Sequence, residues 1–441
     1  MGRNKWISRM VLAAAGISLV LGTGASYAGA ATAYDPHTSY IGDNLTGIYN
    51  ELPEAKISWT AAIDKQDGME VSRNGSVAHG GGKVFFLRQG QLIALNAQTG
   101  KQMWKFGTGL KLPLLYHEGT VYASSAAGNV WAVQAASGTR KWGVKVPGAA
   151  VNALTAEGGQ LFVENGDILA YSLSEGKLQW KENYSEGLYP SLQIHGDIIL
   201  AENSISGAYT VDYLHAFDRK SGKQLWEITD HNLPIAGGDG TLLSQRKDTL
   251  FEVLPLTTLD TLDTKTGKIV KSTEYNPRGI VPGDGTSGGG LAWADGGDLY
   301  ISQGARVYGY PLAADPATVK PRYYSPENSD ARLRYAAGPY DGRILFINAE
   351  SIYGIKVANQ SLVSYYGGGG TARFDLLGHG MYIACTDGRI LAVDIISGKA
   401  LLQLRTTGRS YGPSLLENGM VIVESAGQLT AFKEPATLKL K

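Results

Sequence analysis

An eleven-residue pattern, Ala-x-(Asp/Asn)-x-x-x-Gly-Lys-x-x-Trp, constrains this chain more than any other feature. It reads ALNAQTGKQMW at 94–104, AVQAASGTRKW at 132–142, AYSLSEGKLQW at 170–180 and AFDRKSGKQLW at 216–226. Two further copies lack the tryptophan: TLDTKTGKIVK at 261–271 and AVDIISGKALL at 392–402. Trp104, Trp142 and Trp180 stand 38 residues apart, and Trp226 follows after 46. Self-similarity at this period marks a repeat architecture, in which each unit is a small element that cannot bury its own faces.

The unit is clearest at 82–106. Apolar, β-rich stretches at 83–87, 92–96 and 102–106 are separated by Gln89-Gly90 and Thr99-Gly100, which predicts an antiparallel meander. An X-Gly turn opens each unit, at Gly82, Gly119, Gly159, Gly196, Gly240, Gly297, Gly342, Gly380 and Gly419. Such turns suit glycine because it tolerates positive φ. Four-stranded meanders repeating near 40 residues predict an all-β chain folded as a single β-propeller of eight or nine blades, since nine units are countable and eight is the more usual number. The last unit, 419–433, lacks a good fourth strand. Lys56–Ile63 (KISWTAAI) is an isolated strand bearing Trp59 that can complete it and join the chain ends; Thr437–Lys441 is the rival.

Each element of the pattern has a physical task. The alanine leaves room for close approach of sheets, and the Asp/Asn bonds local backbone. The glycines Gly100, Gly138, Gly176, Gly222, Gly267 and Gly398 supply unusual backbone angles. Trp59, Trp104, Trp142, Trp180 and Trp226 are expected to wedge between adjacent blades. One such wedge contributes at most about 4–6 kcal/mol by area burial.

Charge is balanced, with 40 basic and 40 acidic residues and a pI near 7.1. That argues against a nucleic-acid footprint, which needs a basic excess. Arg3, Lys5 and Arg9, the apolar run 10–21 and Ala28-Gly29-Ala30 read as a signal peptide over 1–30, cleaved near Ala30 or Ala33. A loose leader over 31–55 and the propeller over 56–441 follow. A secreted or envelope-associated, monomeric protein is expected, with no transmembrane segment once the signal is removed. The single cysteine, Cys385, lies in an apolar strand and reads as a buried, inert thiol. No cysteine stands at the cleavage region for lipid attachment.

The repeated AxDxxTGKxxW-type signature resembles the PQQ-like repeat β-propellers, over residues 57–433. Two kinds of relative bear on function. Quinoprotein alcohol dehydrogenases use the fold to hold pyrroloquinoline quinone and Ca²⁺, and the outer-membrane assembly lipoprotein uses a similar propeller as a non-catalytic scaffold. The first resemblance implies an adjacent cysteine pair, which one cysteine cannot supply. The second implies a lipid-attachment cysteine, which is also missing.

No metal-ligand spacing joins the histidines His37, His79, His117, His195, His215, His231 and His379. His195 and His379 precede turn glycines and read as turn residues. The Gly-rich stretches 288–290 and 367–370 lack the P-loop lysine and read as linkers. Tyrosines gather in the irregular half, at 308, 310, 323, 324, 335, 340, 353, 365 and 366. Their expected task is to replace tryptophan as wedges, with partner or sugar binding as the alternative; Tyr365 sits one residue beyond the wedge slot. The reading is a binding or scaffold module for a protein or glycan partner, with no catalytic residue, metal or cofactor assigned and the quinone with Ca²⁺ as the alternative. Short turns on one ring face, with the insertions at 204–213 and 240–297, are expected to form the recognition surface.

Overall fold

The computed structural model describes residues 52–65, 74–148, 150–183, 192–207, 210–249, 252–281, 289–326, 333–348, 351–365 and 370–440, and the backbone of a strand at Ala31–Tyr34. The expected signal peptide, His37 and Tyr366 lie outside these residues.

Nine four-stranded antiparallel sheets follow one another along the chain. The first eight span 77–106, 110–145, 153–182, 192–229, 236–275, 291–324, 334–365 and 371–405. We number these blades 1 to 8 and letter their strands A to D outward from the axis. Blade 9 is composite: Leu415–Glu417, Met420–Ser425 and Gln428–Lys433 are completed by Ile57–Ala62, with Trp59 opposite Ala431. The rival Thr437–Lys441 is no strand. Ala436–Leu438 forms a 3-10 turn, the one helical element among the described residues, and Leu438 is buried against blades 8 and 9. All nine units counted from the turn glycines are full blades, which settles the number at nine. The strand Ala31–Tyr34 pairs with strand A of blade 8, Thr371–Leu377, as a fifth strand.

Turn chemistry explains the meander. In seven blades both central residues of the A–B turn have positive φ, as at Glu118-Gly119 (41° and 76°) and Asn418-Gly419 (51° and 72°). This is the type I′ geometry that matches strand twist. Blades 4 and 8 differ. Their turns are Gly196-Asp197 and Gly378-His379, with positive φ only at the glycine. His195 precedes the turn glycine Gly196 as expected but ends strand A rather than standing in the turn, and Gly380 opens strand B instead of forming the turn. In both cases a glycine first in the turn shifts the frame by one residue.

The core is distributed rather than central. Nine apolar clusters each draw on two neighbouring blades, so nine blades share nine interfaces and the ring is closed. The cluster between blades 9 and 1, for example, joins Trp59, Ile422 and Met420 to Val84, Phe86 and Ile93.

Five tryptophans bind these interfaces with one geometry. The Nε1–H of Trp59, Trp104, Trp142, Trp180 and Trp226 donates to the carbonyl of Ala97, Ala135, Leu173, Arg219 and Thr264, at 2.7–3.0 Å. Each acceptor lies in the C–D turn of the next blade, three residues before Gly100, Gly138, Gly176, Gly222 or Gly267. Those glycines have φ between 66° and 76°, and a Cβ on any of them would come within 2.4–2.7 Å of the docked indole. The glycine is thus required twice, by its backbone angle and by the ring against it. The pattern's alanine sits directly opposite the tryptophan of its own blade, as in Ala94–Trp104 and Ala216–Trp226, so the space it leaves is for that ring.

Candidate binding faces

The topology divides the ring into two faces. A–B and C–D turns lie at one end of every blade. B–C hairpins and the linkers between blades lie at the other. On the turn face, a hydrogen bond from the C–D turn to the A–B turn recurs in all nine blades, as Ala97 N to Gly82 O and Glu434 N to Gly419 O. The insertions lie on the linker face together with the short B–C turns such as Gln89-Gly90, while the A–B and C–D glycine turns lie on the opposite face. Extra length in blade 4 is its B–C hairpin. In blade 5 it is the B–C connection 246–256 and the linker 276–290.

The linker face carries the most developed polar construction. Strands Ile198–Ser206 and Thr210–Asp218 pair over their full nine-residue lengths, so the hairpin outreaches those of its neighbours. Its base is tied to blade 5: Lys247 Nζ lies 3.3 Å from Asp212 and 3.8 Å from Glu202, and Glu202 also accepts from Leu233 N–H at 2.6 Å. Within the hairpin, fully buried His215 sets Nε2 2.9 Å from Asn203 Oδ1. Burial lowers the His215 pKa, partly offset by Glu227.

Beside it, Asp260 is fully buried in strand C of blade 5. It meets His231 Nε2 at 2.8 Å, Arg246 at 2.7 Å and Ser272 Oγ at 2.5 Å. His231 Nδ1 lies 2.6 Å from the Thr229 carbonyl. Burial alone would raise the Asp260 pKa, but the hydrogen bonds from His231, Ser272 and Arg246 prevail and hold it at about 2. This network went unnoticed in the sequence. The available signal was position: the residue before the pattern's first position is Ile93, Trp131, Leu169 or Leu391 in other repeats, but His215 and Asp260 here.

Near the axis, strands A of blades 6 and 7 with Leu376 of blade 8 enclose a cavity of about 330 Å³, lined by Trp293, Asp295, Tyr335 and Tyr340. Trp293 stacks on two tyrosines, Tyr335 at 4.2 Å and Tyr300 at 5.5 Å between ring centroids. Tyr335 and Tyr340 hydroxyls donate to the Gly338 and Gly378 carbonyls, both at 2.8 Å. Asp295 is raised by burial and by Asp298 beside it.

The remaining tyrosines divide. Tyr308, Tyr310, Tyr324 and Tyr365 are buried between blades, Tyr353 is partly buried, and Tyr323 is exposed. Tyr365 replaces the tryptophan outright: its hydroxyl donates at 2.5 Å to Ile395 O, three residues before Gly398. Its displacement by one residue has a cause. Tryptophan-bearing D strands skip one residue in pairing with strand C, whereas blade 7 pairs without a skip, Gly354 with Val363 and Ile352 with Tyr365. Alternation then turns Tyr365, not Ser364, toward blade 8. Cys385 is buried, and its thiol is pushed up to about 12, chiefly by burial.

Several polar groups on or near the inner strands are engaged by this chain. Arg373 forks onto Asp375 at 2.6–3.0 Å, and Asp375 accepts from Ser414 N–H at 2.8 Å. Glu424 accepts from Ser76. The Asn74 amide bonds both backbone groups of Leu154 in strand A of blade 3, at 2.8 and 3.0 Å. Among the described residues no group of three or more His, Cys, Asp or Glu is placed to hold a metal ion.

A PQQ-repeat family model, described as outer membrane protein assembly factor BamB, matches residues 54–273, from the Trp59 strand through blade 5. No curated protein matches the chain. Among solved structures, BamB from Moraxella catarrhalis is 15% identical, covering 74% of this chain and 94% of its own, with a TM-score of 0.47. The quinohemoprotein alcohol dehydrogenase ADHIIG from Pseudomonas putida HK5 is 14% identical, covering 88% and 77%, with a TM-score of 0.45. Likeness at this level carries no argument about activity. The recurring Gly-Lys-x-x-Trp turns, the family match and the nine closed blades together make this chain a PQQ-like repeat β-propeller.

Proposed function

We propose that this protein is a non-catalytic, extracytoplasmic binding module that holds a protein or glycan partner on its linker face. The observation that carries this reading is the long blade 4 hairpin, held at its base by Lys247 between Asp212 and Glu202. A projecting hairpin with an ordered base presents side chains at little entropic cost on binding. The quinone alternative fits the residues poorly. Two polar side chains on or near the inner strands, Arg373 and Asn74, are committed to Asp375 and Leu154. The indole that lines the inner cavity, Trp293, already stacks on Tyr300 and Tyr335 of this chain.

The test is recovery of one saturable partner from cell-envelope extracts by the wild-type chain. Ile205→Asp with Val211→Asp, a cross-strand pair on the hairpin, should abolish recovery while leaving the melting temperature within about two degrees. Tight binding of quinone with Ca²⁺, accompanied by dye reduction, would overturn the reading.

A further inference from the structure

The opposite face carries a feature that partner binding on the linker face does not use. The pattern's lysine, three residues before the wedge slot, is Lys101, Lys177, Lys223, Lys268 or Lys399. Lys56 holds the same position before Trp59 in blade 9, and blade 2 offers Arg140 one residue later. All seven are exposed, and none has an ion-pair partner among the described residues. They belong to blades 8, 9, 1, 2, 3, 4 and 5, which are consecutive round the closed ring. Because they occupy equivalent places in equivalent blades, they stand at one height, along the outer rim of the turn face.

A second observation coincides with the first. In the same seven blades strand D skips one residue in pairing with strand C, a bulge that leaves that residue unpaired. The skipped residue is Met103 in blade 1, Leu225 in blade 4 and Val270 in blade 5, exposed by 48%, 41% and 59%. Ile57 and Leu178, next to Lys56 and Lys177, are exposed by 47% and 43%. In five of the seven blades, 9, 1, 3, 4 and 5, a large apolar side chain is therefore exposed beside the rim cation. Carboxylates share this face: Asp218, Asp263 and Asp394 accept backbone N–H groups of their own C–D turns, Glu175 lies in another C–D turn, and Glu118, Asp197 and Asp239 stand in A–B turns, while Lys220 and Lys265 add cations in the C–D turns. Blades 6 and 7 lack the bulge and the motif lysine.

We infer that this seven-blade arc docks the turn face onto an anionic phospholipid surface. Two features favour a bilayer over a soluble polyanion. Coplanar charges on a wide arc match a plane better than a thread, and a polyanion makes no use of the apolar side chains beside them. Lysines at a headgroup layer are attracted to anionic lipid, and apolar neighbours enter the interface. In this orientation the blade 4 hairpin points away from the membrane. The inference does not depend on the proposed partner.

Vesicle co-sedimentation tests it. Phosphatidylcholine vesicles with about one third phosphatidylglycerol are compared with phosphatidylcholine alone, at low salt and at about 0.5 M salt. Because the apolar stretch 10–21 can itself enter a bilayer, both the full chain and protein beginning at Ala31, which keeps every described strand, are measured. The wild type should partition onto anionic vesicles at least about tenfold better than onto neutral ones and lose this in high salt. Lys101→Glu with Lys177→Glu and Lys223→Glu should remove at least about tenfold of the binding. Met103→Ser with Leu225→Ser should lose about three- to tenfold. Unchanged circular dichroism and melting temperature exclude unfolding. Equal partition onto both vesicles, or a lysine variant that binds like the wild type, would overturn the inference. So would tight binding to dextran sulfate that is indifferent to Met103→Ser with Leu225→Ser, which would mark a polyanion site instead.

Discussion

Blades 9 and 1 to 4 and blades 5 to 7 meet the same requirement by different means. Every outer strand must dock on the blade that follows, or the nine clusters between blades lie open to water. In the regular sector, Trp59 and the four that follow it lie on glycine turns, and a one-residue bulge aims each indole. Blade 7 has no bulge, and Tyr365 one position later reaches the equivalent carbonyl, Ile395 O. Blades 5 and 6 dispense with a donor to the next turn and bury Tyr275 and Tyr324 instead. What is retained in blades 9 and 1 to 7 is a large flat side chain at the interface, its type and exact slot following the local pairing register; blade 8 instead packs Leu404 on blade 9.

The regular sector should pay most for losing its wedge. Trp142→Ala is expected to cost about 3–5 kcal/mol, read from denaturant unfolding followed by circular dichroism. A loss below about 1 kcal/mol would remove the distinction between wedge and ordinary surface residue. At the junction between blades 4 and 5, Asp260→Asn should cost about 3 kcal/mol, because it leaves Arg246 and His231 facing a neutral amide. The sign with pH is fixed by the lowered Asp260 pKa. Its contribution is present above the ordinary value of 3.8 and is lost as pH falls toward about 2. The wild type and Asp260→Asn should thus converge in stability over that interval, and parallel curves would show that the carboxylate is not the group at work.

Two glycines with nearly equal φ separate the two demands on the turn. Gly176→Ala, at φ 68° with Trp142 in the way, should cost about 2–3 kcal/mol. Gly119→Ala, at φ 76° in open space, should cost only about 1 kcal/mol. Equal costs would mean that backbone angle alone selects glycine. The smallest effect is expected at the tyrosine wedge, where Tyr365→Phe keeps the ring and loses one hydrogen bond, about 1 kcal/mol. A loss as large as that of Trp142→Ala would make the hydroxyl, not the buried ring, the main element in blade 7.

The sequence showed the ring more plainly than the sites. Gly-Lys-x-x-Trp carries its own packing partner within one repeat length, so wedges and turns could be read from spacing. The frame of the turns in blades 4 and 8 could not, because Ile-His-Gly-Asp and Leu-Gly-His-Gly each offer more than one pair as the turn centre. Tyr365 was visible only as a residue out of place, since register depends on a bulge that no single residue announces. The Asp260 network was hidden because its members, at 231, 246, 260 and 272, belong to blade 5 and the linker before it and come together only when that blade folds. The opposition of the two faces follows from counting strand reversals, yet insertion lengths alone do not say which end of a blade they extend.

The claim beneath all of this is that the chain closes on itself through blade 9. Thr60 and Thr430 are paired across that blade's outer strands. With Cys385 replaced by serine, the chain carrying Thr60→Cys and Thr430→Cys should be joined by a short bis-maleimide in the folded monomer, and proteolysis should return a single peptide linking the two ends. Independent capping of both thiols, with no such peptide from protein of native circular dichroism, would contradict the closed ring.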